Sequence, residues 1–394
     1  MMIVVTILLG LVATVLLLPA VSDLLCVIRL ALRPNRSRAI ATGQARLLML
    51  IPAHNEELLL EPCVRSLCAQ RYPSSHLSVV VIADNCTDAT AKVARSAGAL
   101  CLERTDLDRK GKPRAIAWAL DQIDFRSYDA MIIIDADTIV DPGFAEHLAR
   151  MPDLRNKAVQ PFNGIRNPGD SALTRMGAVF TTIRYALQFR LKSAAGINLP
   201  LMGNGMCVGT HVLAERGWTA FSICEDWEVY AQLTARGVPI EACLDARLYS
   251  QEARSLRQSG SQRRRWAAGK MSILGSTAWP LVTSKKIDFH QKLDALAELL
   301  SVGPAVHLAG VAGLIAVTLL LNVPGAAWLS IALAASVARL ALYTAAAICL
   351  DPAPLRALTA FAFLPFYAVW RLWLQLSALR MLGDQPWVRT QRHV

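Results

Sequence analysis

At 394 residues the chain can bury a sizeable core, in one large domain or two modest ones. Hydrophobic residues make up 54% of it and charged residues only 18%, which excludes an ordinary soluble protein of this length. The net charge of +11 does not make nucleic acid a partner, because much of the basic excess flanks apolar segments and no zinc finger, aromatic RNP pattern or long basic run accompanies it.

In chain order, the first element is the apolar stretch Met2–Val21, long enough to cross a bilayer at about 1.5 Å per residue. It lacks the basic leader of a cleaved signal. Arg29, Arg33, Arg36, Arg38 and Arg46 follow, an asymmetry that places this side in the cytoplasm, so residues 1–25 read as an uncleaved transmembrane anchor. A globular domain is expected over residues 45–275. Its first half alternates strands and helices: a strand at Leu47–Ile51, a helix at Glu57–Gln70, a strand at Leu77–Ala83, and a helix capped by Thr87 or Asp88. A short strand near Leu100–Leu102, a loop Arg104–Pro113, a helix Arg114–Ile123 and a buried strand Tyr128–Ile134 continue the pattern. That order predicts an α/β fold with a mostly parallel sheet and ligands at the carboxyl ends of its strands. Long helical stretches follow at residues 170–192 and 252–272, with a shorter one at Val229–Arg236. Beyond Lys285 and Lys286, Ala297–Leu321 and Ala326–Leu350 each reach spanning length. Arg339 inside the second is costly unless it meets a partner. Leu358–Leu382, interrupted by Pro365, Arg371 and Arg380, reads as either a third span or a broken, re-entrant segment, completing a membrane region at 297–382. The nine cysteines show neither zinc spacing nor a disulfide framework and fit a reducing compartment.

Five polar motifs lie between the apolar ends: Pro52-Ala53-His54-Asn55-Glu56-Glu57, Ala83-Asp84-Asn85, Asp135-Ala136-Asp137, Glu225-Asp226 and Gln262-Arg263-Arg264-Arg265-Trp266. Asp135 and Asp137 follow the run Met131–Ile134, so both carboxylates can reach one site at a strand end, where hard oxygens suit Mg²⁺ or Mn²⁺. Arg109, Lys110 and Lys112 form a basic loop before a helix, which favours a diphosphate but also describes a plain solvated loop. Asp226 can act as a general base or cap the helix behind it. Arg265 can pair with a diphosphate and Trp266 can stack on a sugar, although an amphipathic interfacial helix would share their composition. His54 has no second histidine at ligand spacing and reads as a structural residue.

Together these motifs resemble those of membrane-integrated family 2 glycosyltransferases with a GT-A (Rossmann-like) fold, the group that includes cellulose, hyaluronan, chitin-oligosaccharide and poly-N-acetylglucosamine synthases. The resemblance covers roughly residues 45–275. It implies that Ala53, Glu56 and Asp84 hold the uridine of a UDP-sugar donor, with Lys112, Asp135 and Arg265 near its diphosphate. Asp137, with Asp135, is implied to bind Mg²⁺ or Mn²⁺. Asp226 is implied to be the catalytic base, with Glu225, Gln262 and Trp266 toward the acceptor. Residues 252–275 become an interfacial helix. The expected activity is inverting transfer of the sugar to a polysaccharide or lipid-linked glycan at the cytoplasmic face of the cell (inner) membrane, by a multi-pass protein. Cys224 stands where the family has Thr before its Glu-Asp pair. The few spans are too few to thread a polymer alone, so polymer synthesis would call for a partner membrane or export protein. The rival readings are single addition onto a membrane lipid (hopanoid- or ceramide-like), a nucleotidyltransferase, and an inactive scaffold.

Overall fold

The computed structural model describes residues 2–32 and 44–378, and the chain divides into two compact units. The unit formed mainly by residues 44–167 and 198–253 is built on one eight-stranded sheet. Its strands are β1 (Leu47–Ala53), β2 (Leu77–Asp84), β3 (Leu100–Arg104), β4 (Ala130–Ile133), β5 (Ile139–Val140), β6 (Ala158–Ile165), β7 (Met206–Gly209) and β8 (Ile240–Ser250). They lie in the order β3-β2-β1-β4-β7-β6-β8-β5. The first four are mutually parallel, as expected from the alternation of strands and helices. Beyond β4 the sheet is mixed: β7 runs antiparallel to β4 and β6, while β6 and β8 are parallel.

The central strand β1 has Leu47 to Ile51 all buried, so both faces are covered, as a parallel sheet requires. It continues through Pro52, two residues past the expected end. Proline is tolerated there because β4 pairs only Leu47–Leu50, which leaves Pro52 with a strand neighbour on the β2 side alone. Leu60, Val64 and Leu67 of the following helix, Leu60–Cys68, pack in the core with Met49 and Ile51. That helix starts later than the expected Glu57, because Asn55 takes a left-handed conformation and the chain must first leave the strand end.

The other unit comprises residues 2–32, 168–197 and 254–378 of those described, and it is helical. Three of its helices are long and apolar enough to cross a membrane: Val5–Leu32, Ala326–Cys349 and Pro354–Ala378. The stretch expected as one span at 297–321 differs. It is divided between Phe289–Leu300 and Pro304–Leu320, which meet at 93° across Ser301-Val302-Gly303. The cause is local: Gly303 sits at φ +82° and Pro304 has no N–H to continue the previous helix. Arg339 does find the partner its position demands. Its guanidinium stands 2.6 Å from Asp23 on the first helix, and the Tyr343 hydroxyl donates to the same carboxylate at 2.7 Å. Lys192 is likewise buried between Asp294 and Glu298, at 2.5 Å from each. The expected basic residues Arg33, Arg36, Arg38 and Arg380 lie outside the described residues.

Candidate active site

The carboxyl ends of β1 and β2 are laced together by their own polar loops. His54 Nδ1 lies 2.7 Å from the Asp84 carbonyl and so links the two strand ends. The Thr87 amide donates to Asn55 Oδ1, and the Glu56 amide donates to Thr90 Oγ1 at 2.8 Å. Glu57 and Asp88 exchange bonds with each other's loops: the Ala89 amide donates to Glu57 and the Glu57 amide to Asp88. Ala53 is buried opposite Ala83. The side chains of Asn55, Glu57 and Asp88, together with the Glu56 amide, fix the backbone of both loops.

Asp84 is buried, and its carboxylate is paired at 2.6 Å with Arg104, its register partner at the end of β3. Arg104 also donates to Asp106 at 2.9 Å and to the Arg109 carbonyl at 2.7 Å. Asp106 is held below the usual carboxylate range, first by the Arg109 amide and then by the Arg109 and Arg104 charges. One buried guanidinium therefore ties Asp84 to the loop that leads to Lys112. The available cue was the short run Leu100-Cys101-Leu102, which ends in the charges Glu103 and Arg104; the register with Asp84 comes from the sheet.

Lys112 opens the helix Lys112–Gln122, with Pro113 in its first turn. Its ammonium lies 2.8 Å from Asp135 and 3.4 Å from both Glu225 and the Gly203 carbonyl. Burial works against its charge, but Asp135 and Glu225 outweigh that and hold Lys112 well above the ordinary lysine range. Asp135 follows β4, and Asp137 is buried two residues on. Asn204 fixes this turn. Its side-chain oxygen accepts the Asp135 amide at 3.1 Å, and its amide group donates to Thr138 and Ser250. Gln160 braces the same loop through the Asn204 carbonyl and the Met202 amide. Asn204 and Gln160 were not among the expected site residues. Gly-Asn-Gly at 203–205 was the available cue, because both glycines take positive φ, +70° and +75°.

Glu225 and Asp226 occupy the first turn of the helix Glu225–Ala235, which begins four residues before the expected start. Cys224 precedes the helix, so Asp226 is not its cap; it lies where the helix dipole favours a carboxylate. Its Oδ1 accepts the Trp227 amide at 2.8 Å. Burial first, and the Glu225 charge second, push the Asp226 carboxyl up to about 7, against the pull of the Trp227 amide and Lys112. Gly203 makes room for this group: a Cβ there would stand 3.3 Å from Asp226 Oδ2. Lys112, Asp135, Glu225 and Asp226 thus meet around the Gly203 loop, with Asp137 beside Asp135. Asp84 is tied to the same region through Arg104 and its loop. Gln262, Arg265 and Trp266 lie in the helical unit, on the long helix Leu256–Thr283, with Trp266 about half exposed at 51%.

A half-buried carboxyl raised to about 7 beside a second carboxylate and a lysine is suited to taking a proton from a hydroxyl. As to a cation, Asp135 and Asp137 offer hard oxygens, and among the described residues no group of three or more His, Cys, Asp or Glu forms a ready-made cage. Such a donor set fits an ion that completes its coordination with phosphate oxygens.

Residues 45–269 match the family model described as glycosyltransferase like family 2. Among curated proteins the chain is 23% identical over 243 residues to the probable glycosyltransferase YdaM of Bacillus subtilis, covering 57% of this chain and 55% of that protein. It is 24% identical over 260 residues to the beta-monoglucosyldiacylglycerol synthase of a Nostoc species, covering 64% of this chain and 54% of that protein. The chain thus spans about half the length of the curated relatives it matches. Among solved structures it resembles the mannosyltransferase PcManGT of Pyrobaculum calidifontis, at 20% identity and a TM-score of 0.56, covering 93% of this chain and 99% of that one. The likeness in fold places the sheet unit among GT-A glycosyltransferases.

Proposed function

The chain belongs to the glycosyltransferase like family 2, and from that premise we propose that it transfers a sugar, with inversion, from a nucleoside diphosphate sugar to a membrane-lipid acceptor. The observation that supports this most is the Asp226 carboxyl, half-buried next to the buried Glu225 and raised to about 7 beside Lys112. In this reading Asp226 takes the proton of the acceptor hydroxyl as that oxygen attacks the anomeric carbon. A single displacement inverts that carbon, so an α-linked donor gives a β-linked product. Lys112 turns its ammonium toward the diphosphate as charge develops on the leaving group, and Arg265 is assigned to the same task. Asp135 and Asp137 would hold Mg²⁺ or Mn²⁺, which when bound neutralises diphosphate charge. Ala53, Glu56 and Asp84 are assigned to the nucleoside, and Glu225, Gln262 and Trp266 to the acceptor.

The UDP-sugar preference rests on the resemblance of the Pro52–Glu57 segment. The solved relative was in complex with GDP-mannose and Mn²⁺, so a guanosine donor belongs in the test. A lipid acceptor is favoured over a polymer by the glycolipid synthase among the relatives. We place catalysis at the cytoplasmic face of the cell membrane, where nucleotide sugars are made. The test is to supply detergent-purified protein with UDP- and GDP-sugars, Mg²⁺ or Mn²⁺ and membrane lipids, and to follow nucleotide release together with product size. One discrete lipid-soluble product is expected. A ladder of lengthening products would overturn the lipid reading, and no nucleotide release from any donor by folded protein would overturn the transferase reading.

A further inference from the structure

The helical unit contains a second cationic cluster, at the break between Phe289–Leu300 and Pro304–Leu320. Arg371 lies within Pro354–Ala378, an apolar helix of spanning length, where a guanidinium is costly unless an anion meets it. Among the described residues no carboxylate pairs with Arg371. The charged group that acts on it is of like sign, Arg263, which is anchored one helical turn away by a 3.0 Å bond to the Tyr367 hydroxyl. Arg371 Nη2 stands over the break itself, 3.8 Å from where a Cβ on Gly303 would lie. Lys270 donates to the Ser301 carbonyl of the same break at 2.9 Å. Ala305, in the turn after the break, is buried in one cluster with Tyr367, which brings that turn close to Arg371. Three cations from two helices therefore converge on one interruption of a third. Asp23 and Arg339 in the same unit show the contrasting arrangement, in which an intramembrane arginine has a carboxylate of its own.

We propose that the cluster of Arg371, Arg263 and Lys270 around Ser301–Gly303 binds the phosphate of an anionic phospholipid headgroup. A forked guanidinium beside a glycine with no side chain suits a phosphate oxygen. The large apolar residues on the Arg371 helix, Phe366, Val369 and Trp373, are exposed as acyl chains would require. The source is therefore assigned to lipid rather than to free phosphate. This inference stands on the helical unit alone and does not rest on the transferase reading.

The test is a thermal-shift and native mass-spectrometry titration of the full chain in detergent. The probes are phosphatidylglycerol, phosphatidylcholine, diacylglycerol and inorganic phosphate. Phosphatidylglycerol is expected to stabilise the protein and to remain bound, with diacylglycerol ineffective and inorganic phosphate much weaker. Arg371→Leu should weaken phosphatidylglycerol about tenfold or more, as loss of a charge-assisted contact does. If that variant does not fold, Lys270→Gln and Arg371→Lys serve in its place, and each should weaken the same lipid. Lys285→Gln, at an exposed lysine outside the cluster, should not. Unchanged affinity in the cluster variants would overturn the site. Equal stabilisation by inorganic phosphate or by diacylglycerol would overturn the headgroup assignment.

Discussion

Replacing Asp226 by Asn should remove activity and, in the same protein, raise stability at alkaline pH. The carboxyl is raised from its ordinary 3.8 to about 7. A carboxyl whose folded value is raised favours the fold below its unfolded value, and that contribution is lost as pH climbs through the folded value. Wild type therefore bears the whole cost of that charge above pH 7 and little of it at pH 4. A rise from 3.8 to about 7 corresponds to roughly 4 kcal/mol at about 1.4 kcal/mol per pH unit, an upper bound because Asp226 is only half-buried. Halving it for solvent screening leaves about 2 kcal/mol, or a rise in Tm of roughly 4–8 °C for a domain of this size. Asparagine is nearly isosteric with the protonated acid, so the two proteins should converge in Tm as pH falls to the ordinary value of 3.8 and below. The assay is thermal denaturation of the whole chain in detergent with a chelator, at pH 4 and pH 8. An equal shift at both pH values, or a lower Tm for the variant at pH 8, would mean that the Asp226 charge carries no such cost.

Three further outcomes follow from the geometry. Arg104→Ala leaves Asp84 buried without its guanidinium and should cost about 3–5 kcal/mol, read as a fall in Tm, with Arg104→Lys failing to restore it because an ammonium cannot fork to Asp84, Asp106 and the Arg109 carbonyl. Gly203→Ala places a methyl 3.3 Å from Asp226 Oδ2 on a residue at φ +70°, so transfer should fall about tenfold or more with KM for the donor little changed. A normal turnover number would remove Gly203 from the argument. Arg339→Leu strands Asp23 among apolar helices and should lower the yield of folded protein, while adding Asp23→Asn should recover most of it; equal yields in the single and double variants would show that the pair is not coupled.

The parallel half of the sheet was legible because each of its strands is an apolar run closed by a polar residue, and Asp84, Asp135 and Asp137 lie at those ends. The antiparallel placement of β7 beside β4 was not, since nothing in Met206-Cys207-Val208-Gly209 encodes a partner some 70 residues earlier in the chain. Lys112 could be named from its loop, but its bonds to Glu225 and the Gly203 carbonyl join segments about 90–110 residues apart, and only the fold makes them neighbours. Arg104 and Asn204 escaped notice for a similar reason: each acts by holding another residue, and the pairing is a property of register. The division of the 297–321 stretch was legible in hindsight. Ser301-Val302-Gly303-Pro304 is a break signal inside an apolar run, and average hydropathy over a window conceals it.

Lys112 has one further consequence, for the way this protein can change over time. A single ammonium serves the strand end at Asp135, the glycine turn at 203 and the helix start at Glu225. Drift at any of these positions alters the load on the other two, so substitutions there should be tolerated in concert rather than singly. A change of donor preference that required Lys112 to move would have to carry all three segments with it, and Asp84 could shift only together with Arg104 and the loop that Arg104 holds.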